Sequence, residues 1–182
     1  SVVARLDEET FLCHTTSGGS DRIHAWMEEW LQTEWWDWKV FTANVTEQYA
    51  QIAIVGPNAR KVIEKMGVEG MDVSADGMPF MTFADGKIAG IQARPFRISF
   101  SGERSYEIAV RAAQGQAFWD AALAAGAEFG MTPYGTEALH VMRAEKGFIM
   151  IGDETDGTVI PQDLNLHWAI SKKKEDFLGK RA

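Results

Sequence analysis

Residues 97–110 read RISFSGERSYEIAV, and the way this stretch folds decides the architecture around it. Glu103 and Glu107 are four apart, a spacing that suits a helical turn. The flanks argue otherwise. Ile98, Phe100, Ile108 and Val110 alternate with polar residues at the period of a strand, and Ser101-Gly102-Glu103-Arg104-Ser105 interrupts them like a hairpin turn. Read as strand, the stretch completes an order of strand, helix, three strands and helix.

Working outward, YAQIAIVG (49–56) is a strand closed by Gly56-Pro57, and Pro57 suits the first turn of a helix over PNARKVIEKM (57–66). Ala59, Val62, Ile63 and Met66 of that helix face inward. PFMTFADGKIAGIQARPF (79–96) reads as a hairpin turning at Asp85-Gly86. A helix over 115–125 presents Phe118, Trp119, Ala122 and Leu123. The order from Tyr49 onward is that of a ferredoxin-like split βαβ unit, expected over residues 49–129 of an α+β protein.

Before it, SVVARL and TFLCHTT pair around Asp7-Glu8-Glu9. Ser20 caps a helix with Asp21 in its first turn and an apolar face of Ile23, Trp26, Met27, Trp30 and Leu31. KVFTANVT (39–46) reads as a further strand. After the unit, a loop through Gly130 and Pro133 leads to a helix from Gly135 to a C-terminal Gly147, with Lys146 in its last turn. Residues 1–48 and 130–182 are expected to form one discontinuous subdomain around the 49–129 unit.

Composition narrows the function classes. A net charge of −8 and a pI near 5.0 lack the basic surface that nucleic acid requires. Cys13 is the single cysteine, which excludes an intramolecular disulfide and suits a reducing cytoplasm. No apolar run approaches the roughly 20 residues of a membrane span. The first residues, SVVARL, and the last, FLGKRA, read as interior sequence, so the chain is expected to be part of something longer.

Few residues carry chemistry openly. TTSGGSD (15–21) places glycines before a helix but lacks the phosphate-loop lysine and the dinucleotide spacing, so the plain reading is a turn with Asp21 complementing the helix dipole. His14, His24, His140 and His167 show no metal-ligand spacing, and no metal site is expected. Trp30, Trp35, Trp36 and Trp38 crowd into EWLQTEWWDWKV, where some rings should stay accessible as an interface or ligand wall. KKKEDFLGKR (172–181) reads as a solvated face. Glu103 lies in the turn and is solvated. Glu107, between Tyr106 and Ile108, is the carboxylate that can face a sheltered cleft, where a planar pair of N–H donors, as on a guanidinium or a pterin, would satisfy it.

Four stretches together resemble the folate-binding aminomethyltransferase family, the T-protein of the glycine cleavage system. TSGGSD resembles the Thr-Gly-Gly-type turn found on the branch formed by the alpha subunits of heterotetrameric sarcosine oxidases. IAIVGPNARKVI resembles the family's Gly-Pro-x-Ala junction and FRISFSGERSYEI its Gly-Tyr-Thr-Gly-Glu-x-Gly-x-Glu-Ile stretch. YGTEALHVMRAEKGFIMIGDETDGTVIPQDLNL resembles its helix and following loop. The likeness is to the C-terminal half of those oxidase subunits.

The resemblance implies Asp21 as the catalytic carboxylate near the reactive N5/N10 edge of folate and Glu107 as the carboxylate that takes the pterin's N3/2-amino edge. Phe100 would supply the aromatic face where transferases have Tyr. Arg143 matches the second arginine of the helix motif, while Leu139 stands in place of the first, which favours the oxidase branch.

The implied reaction passes the one-carbon unit of an oxidised sarcosine imine to tetrahydrofolate, giving 5,10-methylenetetrahydrofolate and glycine. FAD, FMN and NAD are implied only for the complete heterotetramer, with the flavin-bearing beta subunit as chief partner. The alternatives are a glycine cleavage-type aminomethyltransferase and a non-catalytic folate-binding or assembly module, to which the Trp-rich loop could contribute a subunit interface.

Overall fold

The computed structural model describes residues 1–181. Its elements in chain order are β1 (Val2–Arg5), β2 (Phe11–His14), α1 (Ser20–Thr33), β3 (Tyr49–Val55), α2 (Ala59–Met66), β4 (Val68–Glu69), β5 (Gly86–Ile88), β6 (Ile91–Phe96), β7 (Ser105–Arg111), α3 (Gly115–Gly126) and α4 (Thr136–Lys146). The mixture is α+β. No helix among the described residues is long and apolar enough to cross a membrane.

The chain divides into two compact units. One comprises residues 1–99 and 103–133, and the other joins Phe100–Gly102 to the stretch from Tyr134 onward. This grouping puts residues 1–48 with the 49–129 segment, whereas the sequence reading set them with 130–182.

In the first unit β3, β7, β6, β5 and β4 form, in that order, a wholly antiparallel sheet. It has five strands where the sequence reading counted four, because the short β4 follows α2 directly. β7 lies between β3 and β6, pairing along its whole length with β3 and from Glu107 to Val110 with β6. Tyr106, Ile108 and Val110 are buried on one side of it with Ile54 of β3, Ile88 of β5 and Ala93 of β6. Helices α2 and α3 cover that side through Val62, Ile63, Phe118 and Ala122. In α3 the buried residues fall at Phe118, Ala122, Ala125 and Gly126, the spacing that keeps them on one helical face.

The opposite side is closed at one end by the β1–β2 hairpin. Ala4 packs there with Phe96, Ile98 and Ala109, supported by Val2, Leu6, Leu12 and Phe83.

Three local expectations are corrected. The β5–β6 hairpin turns at Ala89-Gly90, not at Asp85-Gly86: Ile88 pairs with Ile91, and both turn residues have positive φ, 53° and 72°. Such a two-residue turn matches the twist of the strands it joins. Asp85 instead receives a two-pronged bond from Arg94, at 2.7 and 3.0 Å. Gly86 is needed for space, since a Cβ there would lie 2.5 Å from the Glu69 carbonyl oxygen on β4.

The second correction concerns residues 39–46, which form no strand; a short 3₁₀ turn at Thr46–Gln48 leads into β3. Third, Ser20 is the first residue of α1 rather than its cap, and its hydroxyl donates to the Ser17 carbonyl at 2.9 Å. No residue of α1 is buried.

In the second unit α4 ends at Gly147 in the left-handed conformation, with the Gly147 and Phe148 amides bonded back to Ala144 and Arg143. Beyond it the described residues hold one isolated bridge, Ile151 with Thr155, and a short 3₁₀ turn at His167–Ala169.

Candidate functional site

Glu107 stands in the middle of β7, flanked in register by Ala53 of β3 and Phe96 of β6. Strand alternation turns it away from the side that buries Tyr106 and Ile108. Ala53 offers only a methyl group beside it, and the Phe96 ring is fully buried. The carboxylate is therefore partly buried between two apolar neighbours, and burial pushes its pKa above the usual glutamate value.

One polar group opposes that shift. Gln51, two residues before Ala53 on β3, donates its Nε2–H to Glu107 Oε2. Among the described residues the other oxygen, Oε1, accepts no bond, so the carboxylate keeps acceptor capacity for a ligand.

His14 belongs to the same side of the sheet. Its ring meets Phe96 edge-on with centroids 4.5 Å apart, and Phe83 flanks Phe96 at 5.7 Å. Nε2 of His14 is buried without a hydrogen-bond partner. Burial is the main cause holding its pKa low; the nearby Gln51 amide acts against this and the Arg94 charge with it. Gln51 gives one of its two amide hydrogens to Glu107. Glu107, Gln51, His14 and Phe96 thus form one partly sheltered constellation on three strands and a hairpin.

Asp21 occupies the first turn of α1, exposed, where the helix dipole favours its charge. Asn44 Nδ2 donates to Asp21 Oδ1 at 2.7 Å. Asn44 is itself held by Thr46, whose amide and hydroxyl donate to Asn44 Oδ1 at 3.0 and 2.7 Å. Among the described residues no hydrogen bond or ion pair joins Asp21 to Glu107.

The remaining two expected residues lie in the second unit. Phe100 is half-buried; the aromatic ring that the strand register puts beside Glu107 is that of Phe96. Arg143 is buried, with 5% of its surface exposed. Its Nη2 donates to Asp153 Oδ2 at 2.8 Å, and Nη1 bonds both Glu154 Oε1 and the Phe148 carbonyl oxygen. Only Nε lacks a partner. Glu154 also accepts from the Met150 amide at 2.7 Å, so the arginine gathers the turn 148–154 under α4. Both hydrogens of Nη1 and one of Nη2 are thus committed within this turn, and the side chain is nearly closed to solvent.

Residues 1–174 match the family described as the GCVT N-terminal domain. The chain belongs to that family. It is 54% identical over 182 residues to the sarcosine oxidase subunit alpha of Corynebacterium sp. (strain P-1), covering all of this chain and 19% of that protein. With the subunit of the same name from Rhizobium meliloti (strain 1021) it shares 39% over 181 residues, 98% of this chain and 18% of the other. The aminomethyltransferase of Chlorobium phaeovibrioides (strain DSM 265 / 1930) is 30% identical over 181 residues, all of this chain and 48% of the enzyme. The chain therefore spans about a fifth of the length of the sarcosine oxidase subunits it matches.

Glu107 stands out in the sequence as the carboxylate that interrupts an otherwise apolar strand. Sequence reasoning did not anticipate Gln51, His14 and Phe96 around Glu107, nor Asn44 beside Asp21. The first three meet Glu107 only through strand register and hairpin packing, and Asn44 was read as the interior of a strand. The one available signal was polarity: Gln51 interrupts an otherwise apolar YAQIAIV.

Proposed function

We propose that this chain is the tetrahydrofolate-binding module of a sarcosine oxidase alpha subunit. It would serve transfer of the one-carbon unit of the oxidised sarcosine imine, giving 5,10-methylenetetrahydrofolate and glycine. The observation that carries the reading is the Glu107 carboxylate, partly buried, held at one oxygen by Gln51 and open at the other. An edge presenting two adjacent N–H donors satisfies such a carboxylate, and charge-assisted bonds of this kind contribute about 1.5–3 kcal/mol. The 54% identity to a sarcosine oxidase subunit supports the choice of branch, as does Leu139 in place of the transferases' arginine.

When bound, tetrahydrofolate supplies the amines that accept the carbon. The work of this chain is to orient and to handle charge. Glu107 would anchor the pterin edge and so fix the ring, and holding reactants in register is worth several kcal/mol of barrier. Asp21, kept in place by Asn44, would take the proton that the attacking amine gives up. Phe100 and Arg143 are retained as family-matched positions. The direct contacts of Arg143 favour a part in shaping the loop after α4. FAD, FMN and NAD, and the flavin-bearing beta subunit, belong in this reading to the complete cytoplasmic enzyme.

A glycine cleavage-type aminomethyltransferase is the second reading, favoured by the match to the Chlorobium enzyme over this entire chain. Calorimetric titration with folinic acid tests the shared element of both. Saturable binding that Glu107→Ala weakens at least tenfold is expected; no binding to the wild-type protein overturns the folate reading. Formaldehyde or methylenetetrahydrofolate production from sarcosine by the complete enzyme then separates the oxidase from the transferase.

A further inference from the structure

We propose that Gln51 is a positioning residue for Glu107: its amide aims and polarises the carboxylate so that the site takes a ligand through two neighbouring N–H donors on one planar edge. The inference rests on the folate reading and assigns a second residue to the same site.

Among the described residues Gln51 is the side chain that hydrogen-bonds the Glu107 carboxylate. Gln51 pairs with Ala109 and Ala53 pairs with Glu107, so Gln51 and Glu107 are diagonal neighbours on one face of adjacent strands. That spacing is within reach of two long side chains. The positions directly beside Glu107 carry no polar side-chain atom: Ala53 on one strand and Phe96 on the other.

Two basic side chains near Phe96 on this side of the sheet are engaged elsewhere, and Arg111, on the same face, lies exposed at the far end of β7. Arg94 of β6 is tied through two nitrogens to Asp85. His14 of β2 packs on Phe96, and burial favours its neutral form. Neither bears on the titration of Glu107, which is set by burial against the Gln51 amide alone.

A carboxylate offers four lone-pair positions. Gln51 fills one of them on Oε2 and leaves Oε1 with its full capacity. This arrangement orients the carboxylate plane while preserving two acceptors side by side. It also favours the ionised form, and only the ionised form is acceptor-only. A protonated carboxyl would present a donor and lose the match to a donor–donor edge. Gln51 thereby selects against ligands that bring an acceptor to this position, such as an oxidised ring nitrogen or a carbonyl.

The test compares the wild-type protein with Gln51→Leu and Gln51→Asn, the second too short to reach Glu107. The ionisation of Glu107 is followed in ligand-free protein by NMR of ¹³C-labelled glutamate. Folinic acid affinity is measured across pH on the same samples. In Gln51→Leu the Glu107 midpoint should move further upward and affinity at neutral pH should fall about tenfold, the worth of one hydrogen bond to a charged group. Part of that loss should return at higher pH as the carboxylate ionises, a recovery that a merely structural role would not give.

An unchanged midpoint with unchanged affinity overturns the proposal, and so does a loss of affinity that is flat with pH. If the wild type fails to bind folinic acid, the folate reading falls, while the midpoint comparison still decides the role of Gln51. If Gln51→Leu loses its circular dichroism signature, Gln51→Asn decides by the same two measurements.

Discussion

Burial holds the Glu107 carboxyl above its ordinary value of 4.5, with the Gln51 amide working against it. A carboxyl whose folded pKa is raised contributes stability that is complete below the unfolded value and lost as pH rises through the folded one. At neutral pH the ionised Glu107 therefore costs the fold stability, as functional groups in sheltered sites commonly do. Glu107→Gln removes that cost but halves the acceptor capacity. At pH 7.5 the variant should melt about 1–3 °C higher than the wild type and bind folinic acid at least tenfold more weakly, with the stability gain gone near pH 4. Calorimetry on one pair of samples measures both, and a variant that is neither more stable nor weaker in binding contradicts the assignment. Glu107 was recognisable as a sheltered carboxylate because it breaks an apolar strand. Its surroundings were not, since Gln51, His14 and Phe96 are 56, 93 and 11 positions away by subtraction of their numbers, and only register and hairpin docking bring them together.

At the scale of elements, patterns with a single strong period were legible and turns chosen among rival signals were not. The 3.6-residue spacing of Val62, Ile63, Phe118 and Ala122 located α2 and α3, and Gly147 closed α4 where expected. The hairpin was misplaced because Asp-Gly is the stronger turn dipeptide than Ala-Gly, yet the pairing of Ile88 with Ile91 leaves Ala89 to adopt a positive φ. That mismatch predicts a stabilising change. Ala89→Gly should raise stability by about 0.5–1 kcal/mol, because the left-handed conformation costs alanine and not glycine. Gly86→Ala should lower it by about 1–3 kcal/mol, because the new Cβ meets the Glu69 carbonyl. Urea unfolding of both variants checks the pair, and the reverse order of stabilities would restore the turn to Asp85-Gly86. A second element-level prediction concerns the loop after α4. Arg143→Met keeps the volume but releases Asp153 and Glu154, whose side chains are 47% and 41% exposed and so remain hydrated. The cost should therefore fall at about 1–3 kcal/mol rather than the larger loss of a fully buried pair. Limited proteolysis should show cleavage between residues 148 and 155 rising several-fold. Unchanged cleavage would mean that the arginine does not organise this turn.

Across the whole molecule, apolar packing is unevenly distributed. The sheet core from Ile54 to Phe118 is buried on one side by α2 and α3, whereas α1 buries no residue and its Trp26 and Met27 are 49% and 38% exposed. Trp30 of α1 and the tryptophans that follow the helix pack on one another, Trp30 against Trp35 at 5.6 Å and Trp35 stacked on Trp38 at 4.8 Å. Sequence alone suggested that some of these rings stay accessible. It did not show that the helix carrying Asp21 lacks a buried face, because the same Ile23, Trp26 and Trp30 pattern also describes a helix packed into a core. A 14-residue helix whose best-covered side chains, Ile23, Trp30 and Leu31 among them, are only partly buried gains little from tertiary packing, so the opening free energy of α1 should be far below that of the sheet. Hydrogen exchange tests this directly. Amides of β7 should be the slowest in the chain, and those of residues 20–33 should exchange at least a hundredfold faster, a difference of about 2.7 kcal/mol in opening. Folinic acid should then protect peptides of α1 as well as those of β3 and β7, since the proposed site draws on Asp21 and Glu107 together. Protection confined to β3 and β7 would leave Glu107 as the ligand's anchor and remove Asp21 from the site.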